Sequence, residues 1–269
     1  MMPLVLFFSL AYLFSWVIWL PLYGPSFGIK GLPVLPFHHG LGGLGPLLSA
    51  FVTTYLLKSR KGVKELWTHS FKLRPAVYLL IALFSPYVLT AVAAVGSYFL
   101  YHTPVNLKGM GYSREFPDFN LLEWFGYNLL FFGWGEEVGW RGFALPRFQQ
   151  HFNALGSSLM LTVFWAVWHW PAFFYRPGYT SMDPAGVFGW VFSLLTGSVL
   201  LTWLYNSSKG SILICAVFHS AIDIVFTSES SNAEMTNLMG FLITLWGVLT
   251  ILIFKPKNLS LISKTKAFV

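Results

Sequence analysis

The 269-residue chain is 55% hydrophobic and only 10% charged, which excludes an ordinary soluble domain and reads as an integral membrane protein. Its 17 Lys and Arg against 10 Asp and Glu give a net charge of +7, read here as basic loops on one side of a bilayer and not as a nucleic-acid surface. A single cysteine, Cys215, excludes an intramolecular disulfide and a cysteine-rich metal site.

Met1 to Pro3 bring no positive charge and no A-x-A site follows, so Leu4 to Leu22 read as a first spanning helix that stays attached. A span needs about 20 apolar residues. Eight stretches qualify, at about 4–22, 41–57, 76–101, 120–145, 155–175, 185–206, 211–228 and 236–254. The expectation is an all-α polytopic bundle of about eight transmembrane helices, forming one integral membrane domain over residues 1–269. The fourth stretch is long enough only if its helix runs through Glu136 and Glu137 and stops near Pro146, a residue expected to break it.

The connections punctuate this pattern. Pro33, Pro36 and the glycines from Gly40 to Gly45 mark the first link. Lys58-Ser59-Arg60-Lys61 begins a basic second link that ends at Arg74-Pro75. Residues 102–119 form a polar third link, Asn206 to Gly210 a short turn, and Lys255-Pro256-Lys257 closes the last span.

Eight spans put both termini on one side, with Lys58, Arg60, Lys61, Lys64, Lys72, Arg74, Arg141, Arg147, Lys209, Lys255, Lys257, Lys264 and Lys266. Lys30, Lys108, Arg114 and Arg176 fall on the other. Thirteen against four predicts cytoplasmic termini, and twelve against four holds without Arg141, which lies inside a helix.

Six ionisable groups fall well inside spans: Glu136, Glu137, Arg141, His169, His219 and Asp223. Such groups are costly in a bilayer, face the bundle interior and mark function. Glu136 lies roughly 14 Å from the cytoplasmic end of its span, His219 about 12 Å, Asp223 about 18 Å and His169 on the order of 21 Å. These depths overlap, so the groups are expected to line one polar intramembrane cavity open to the cytoplasm.

Spacing separates their roles. Glu137 and Arg141 are i,i+4 with the acid first, the better order for a helical ion pair. Glu136 is turned by about 100° from Glu137. Its i+4 position is Trp140, so it is the acid free for chemistry. Gly135 and Gly139 let a neighbouring helix approach closely. His219 and Asp223 are also i,i+4 and share a face with Cys215. Taken alone, the His–Asp pair reads as a hydrogen bond joining helices, His169 as a histidine held by a carbonyl, and Cys215 as a small apolar residue more than as a thiol nucleophile.

Glu136-Glu137-Val138-Gly139-Trp140-Arg141 fits E-E-x-x-x-R, Trp165 to His169 resembles F-x-x-x-H, and His219 to Asp223 resembles H-x-x-x-N or D. In this order and spacing the motifs resemble the CAAX protease and bacteriocin-processing family of intramembrane endopeptidases, with a motif-bearing core at about 120–228. Trp165 stands where phenylalanine is usual, and Asp223 where the prenyl-protein members have asparagine. An ionised carboxylate cannot donate to an oxyanion, which sets the prenylated-substrate activity apart.

The resemblance implies peptide-bond hydrolysis without a covalent intermediate. Glu136 is the general base on a water, His169 assists it, and His219 with Asp223 serves the oxyanion side. Glu137 and Arg141 hold the motif helix. Asp223 either orients an imidazolium at His219 or donates a proton itself. No cofactor is implied; the first rival is a zinc-dependent version, with the same Glu, His and Asp set as ligands and no H-E-x-x-H. Two others are a non-catalytic, immunity-type binding protein and a proton-coupled transporter, for which no inverted repeat is found. The expected partners are a peptide or protein substrate, membrane-associated or not, and the lipid bilayer. The expected location is a bacterial cytoplasmic membrane.

Overall fold

A computed structural model of the chain describes residues 2–73, 75–104, 106 and 109–264. Arg74, Lys108 and Lys266 lie outside the described residues.

Each of the eight apolar stretches is helical. The first is α1 (Met2–Tyr23), capped by a 3-10 turn over Gly24–Phe27. The second is α2 (His38–Gly43) and α3 (Gly45–Ser70), the third α4 (Ala76–Tyr101). The basic run from Lys58 does not open a loop: α3 continues to Ser70 across a kink at Ser59, where φ is 54°. Beyond it, buried Leu66 and Gly62 give the helix an inner face, and an amphipathic turn can continue where an apolar one would stop.

The fourth stretch departs most from expectation. It starts with α5 (Leu121–Asn128), held by a capping box of Asn120 and Glu123. A π-helical turn over Leu129–Trp134 leads to α6 (Gly135–Glu137), a second π-helical turn over Val138–Ala144 to α7 (Leu145–His151). Pro146 does not break this segment, because it falls in the first turn of α7, where its missing N–H is tolerated. The fifth stretch is shorter than expected. Helix α8 (Ala154–Trp168) ends before His169, and a 3-10 turn over Trp170–Phe174 follows. The last three are α9 (Pro184–Ser207), α10 (Ile212–Thr227) and α11 (Ala233–Asn258).

Five of the described helical stretches are long and apolar enough to cross a membrane: Met2–Phe27, His38–Ser70, Ala76–Tyr101, Pro184–Ser207 and Ala233–Asn258. The protein is therefore an all-α, multi-pass membrane protein. Helix α8, with 15 residues, and α10, with 16, are shorter.

Hydrogen bonds tie alternate links together at opposite ends. At one end Lys72 Nζ donates to Lys209 O (3.0 Å), Asn206 Nδ2 to Asn258 O (2.8 Å), and Lys264 Nζ to Phe152 O. At the other, Ser26 Oγ donates to Phe174 O (3.1 Å), Arg114 Nη2 to Phe226 O (2.9 Å), and Glu229 N to Tyr112 O (2.9 Å).

Small residues bring the motif segment against its neighbours. A Cβ at Gly133 would overlap Ser220 Oγ and the Ala216 carbonyl on α10. One at Gly139 would stand 2.6 Å from Pro46 Cβ and 2.7 Å from Pro46 O on α3. The segment carrying Glu136 and Glu137 is thus wedged between α3 and α10.

Candidate active site

Glu136 and Glu137 are adjacent, and their surroundings differ. Glu136 is 3% exposed and its Oε2 accepts from two indoles, Trp140 Nε1 at 3.1 Å and Trp165 Nε1 at 2.9 Å. Its Oε1 has no hydrogen-bond partner among the described residues. Glu137 is fully buried, and its Oε1 accepts from Arg141 Nη1 and from His219 Nδ1, both at 2.8 Å. Arg141 is also fully buried, donates through Nη2 to Ser198 Oγ (3.3 Å), and lies 4.8 Å from the Trp165 ring centre.

His219 therefore stands between two carboxylates. Its Nδ1 side faces Glu137, and its Nε2 is 3.7 Å from Asp223 Oδ2. That distance is an ion-pair separation, not the hydrogen bond that i,i+4 spacing suggests. His169 is the residue that caps α8, and its Nδ1 donates to Trp165 O at 2.8 Å. Its ring lies parallel to Tyr179, 6.1 Å between centres, with Trp168 and Trp190 edge-on.

Glu136, His169, His219 and Asp223 all line one cavity of about 660 Å³. Glu137 and Arg141 lie behind its wall. The mouth is framed by Arg114 and Glu115 of the third link and by Pro177 and Gly178 of the fifth, all at the end away from the basic links. The expectation of a cavity open to the lysine-rich end is thus corrected. Depth along a helix says how far a group lies from each end, not which end is open. Further along the motif segment, Val138, Trp140, Phe143, Ala144 and Leu145 are fully buried.

Several cavity residues carry no motif signal. Arg176 meets Glu115 in a two-pronged ion pair (2.7 and 2.6 Å) across the mouth, from positions 61 residues apart. His39 Nδ1 hydrogen-bonds the Tyr175 hydroxyl at 2.7 Å; His39 reaches the site from α2 and Tyr179 from the fifth link. Only the run of aromatic residues from Trp165 to Tyr175, at the end of the fifth stretch, hints at a wall there. Cys215 is buried with its Sγ 3.6 Å from Leu201 O, and it makes no hydrogen bond to His219. Among the described residues no group of three or more His, Cys, Asp and Glu is arranged to hold a metal ion.

An all-α, multi-pass membrane protein with acids and histidines gathered in one cavity is the class that this fold and site define. Residues 118–225 match the family model described as type II CAAX prenyl endopeptidase Rce1-like. Over 93 residues the chain is 29% identical to CAAX prenyl protease 2 of Methanococcus maripaludis, a match covering 33% of this chain and 34% of that protein. Over this motif-bearing region the chain is similar to the Rce1-like CAAX proteases, the resemblance its motifs led us to expect, and the match spans about a third of the curated relative's length.

Proposed function

We propose that the protein is an intramembrane endopeptidase that hydrolyses a peptide bond with a water activated by Glu136. The observation that carries this reading is the convergence of Glu136, His169, His219 and Asp223 on one cavity. The indoles of Trp140 and Trp165 hold Oε2 of Glu136, which leaves Oε1 for the proton of a water. His169 gives its Nδ1 proton to Trp165 O, so Nε2 is the nitrogen left to assist that water. Glu137 orients His219 through Nδ1. An imidazolium there would turn an Nε2–H towards Asp223 and the developing oxyanion.

In this reading the water attacks the carbonyl carbon, its proton passes to Glu136, and the same proton goes on to the leaving amine. The chain crosses a bacterial cytoplasmic membrane eight times, with both termini cytoplasmic. Its substrate is a peptide or a membrane-associated protein.

The test is cleavage of a quenched fluorescent peptide library by purified protein in liposomes, comparing wild type with Glu136→Ala and His169→Ala. Loss of cleavage in Glu136→Ala, with the fold retained, is the expected result. Cleavage that survives Glu136→Ala sinks the mechanism. Metal analysis with activity after chelation separates the zinc version, and solute flux without cleavage would instead mark a transporter.

A further inference from the structure

The cavity mouth and the charge of the two ends together assign a side to the chemistry. At the end where the second, fourth and sixth links meet, the described residues include five Lys and Arg between Lys58 and Lys72, with Arg147, Lys209, Lys255, Lys257 and Lys264. The described acid there is Glu65. At the opposite end the balance among the described residues reverses. Lys30, Arg114 and Arg176 stand against Glu115, Asp118, Glu123, Asp183, Glu229 and Glu234. Two of those three cations are tied down, Arg114 to Phe226 O and Arg176 to Glu115.

Lys and Arg in short links stay on the cytoplasmic side, while acids contribute little to the choice. That rule makes the basic end cytoplasmic. The mouth, framed by Arg114, Glu115, Pro177 and Gly178, belongs to the other end. Beyond Glu137 the motif segment is packed, with Val138, Trp140, Phe143, Ala144 and Leu145 all 0% exposed.

We infer that the site opens to the extracytoplasmic face and takes its scissile bond from there. The substrate is an exported peptide, or the outward-facing segment of a membrane protein, and not the cytosolic tail of a soluble one. The substrate half of this inference rests on the peptidase reading; the sidedness does not.

The two halves are tested separately. Ser181→Cys sits on the link at the mouth and Thr68→Cys on α3 at the basic end, and both positions are exposed. Buried Cys215 is the internal control, reacting only after denaturation. A membrane-impermeant maleimide applied to intact bacterial cells is expected to label Ser181→Cys fully and to leave Thr68→Cys unlabelled until the cells are permeabilised. Labelling of Thr68→Cys on intact cells, or failure at Ser181→Cys, overturns the sidedness.

In proteoliposomes of measured orientation, hydrolysis of the externally added peptide library should scale with the fraction of molecules whose Ser181→Cys is reachable from outside. Hydrolysis that scales with Thr68→Cys accessibility overturns the substrate assignment. Hydrolysis absent in detergent as well as in both orientations sinks the peptidase reading and leaves the sidedness standing.

Discussion

Trp165 Nε1 donates to Glu136 Oε2 at 2.9 Å, a bond that joins α8 to the motif segment and fixes the carboxylate from a second helix. The indole stands where the family motif carries phenylalanine, and a phenyl ring has no donor for this role. Trp165→Phe therefore keeps an aromatic wall and removes one of the two hydrogen bonds on Glu136. A hydrogen bond to a charged group is worth about 1.5–3 kcal/mol, so cleavage should fall roughly ten- to hundredfold, in kcat more than in KM. Steady-state kinetics on a single cleaved peptide checks this. An unchanged kcat would mean that Trp140 positions the carboxylate alone.

The two glutamates should separate by what their loss damages. Glu136→Gln keeps volume and packing, so thermal unfolding in detergent should be near wild type while cleavage is lost. Glu137→Gln removes the charge that faces fully buried Arg141 and weakens the hold on His219 Nδ1. Removing one partner of a buried pair costs about 3–5 kcal/mol, so this variant should unfold at a clearly lower temperature. Equal unfolding temperatures for the two variants would show that the division is wrong.

Much of this site is readable in the sequence because its signals are local. Apolar runs punctuated by charged links mark eight helical stretches, and i,i+4 spacing alone predicts the Glu137–Arg141 pair observed at 2.8 Å. What escapes depends on contacts between distant residues. The π-helical turns around α6 accompany the close approach of Gly133 to α10 and of Gly139 to α3, which neither propensity nor period reveals. Nor does the sequence show that a new helix, α7, begins beside Pro146, so that the proline falls in a first turn and does not end the segment. The run of apolar residues from Trp165 to Phe174 places His169 inside a helix, yet it caps α8. The donor roles of Trp140 and Trp165 and the Arg176–Glu115 clamp need three-dimensional positions. So does the direction in which the cavity opens.

Gly133 should be the most sensitive small residue in the motif segment. Its missing Cβ is the space that Ser220 Oγ and the Ala216 carbonyl occupy, and the latter is backbone that cannot rotate away. Gly133→Ala should cost about 1–3 kcal/mol of overpacking and push α10, with His219 and Asp223, away from Glu136. Both the unfolding temperature and cleavage should drop. A Cβ added at Gly126, on α5, would meet nothing within 4 Å. Gly126→Ala should be neutral or gain about 0.5–1 kcal/mol from helix propensity. A neutral Gly133→Ala would mean that the contact with α10 is looser than its geometry.

Cys215 tests whether any covalent chemistry operates here. It is four residues before His219 on α10, the spacing at which a thiol and an imidazole can meet. Its Sγ instead faces Leu201 O on α9 at 3.6 Å, inside the packed core. Cys215→Ala should therefore retain cleavage within a few-fold of wild type and lose only the small packing term of one buried atom, of order 1 kcal/mol. Wild-type activity should likewise resist a thiol alkylating reagent applied to the folded protein. Abolished cleavage in Cys215→Ala, in a variant that still unfolds cooperatively near the wild-type temperature, would replace the water-based scheme with a thiol nucleophile.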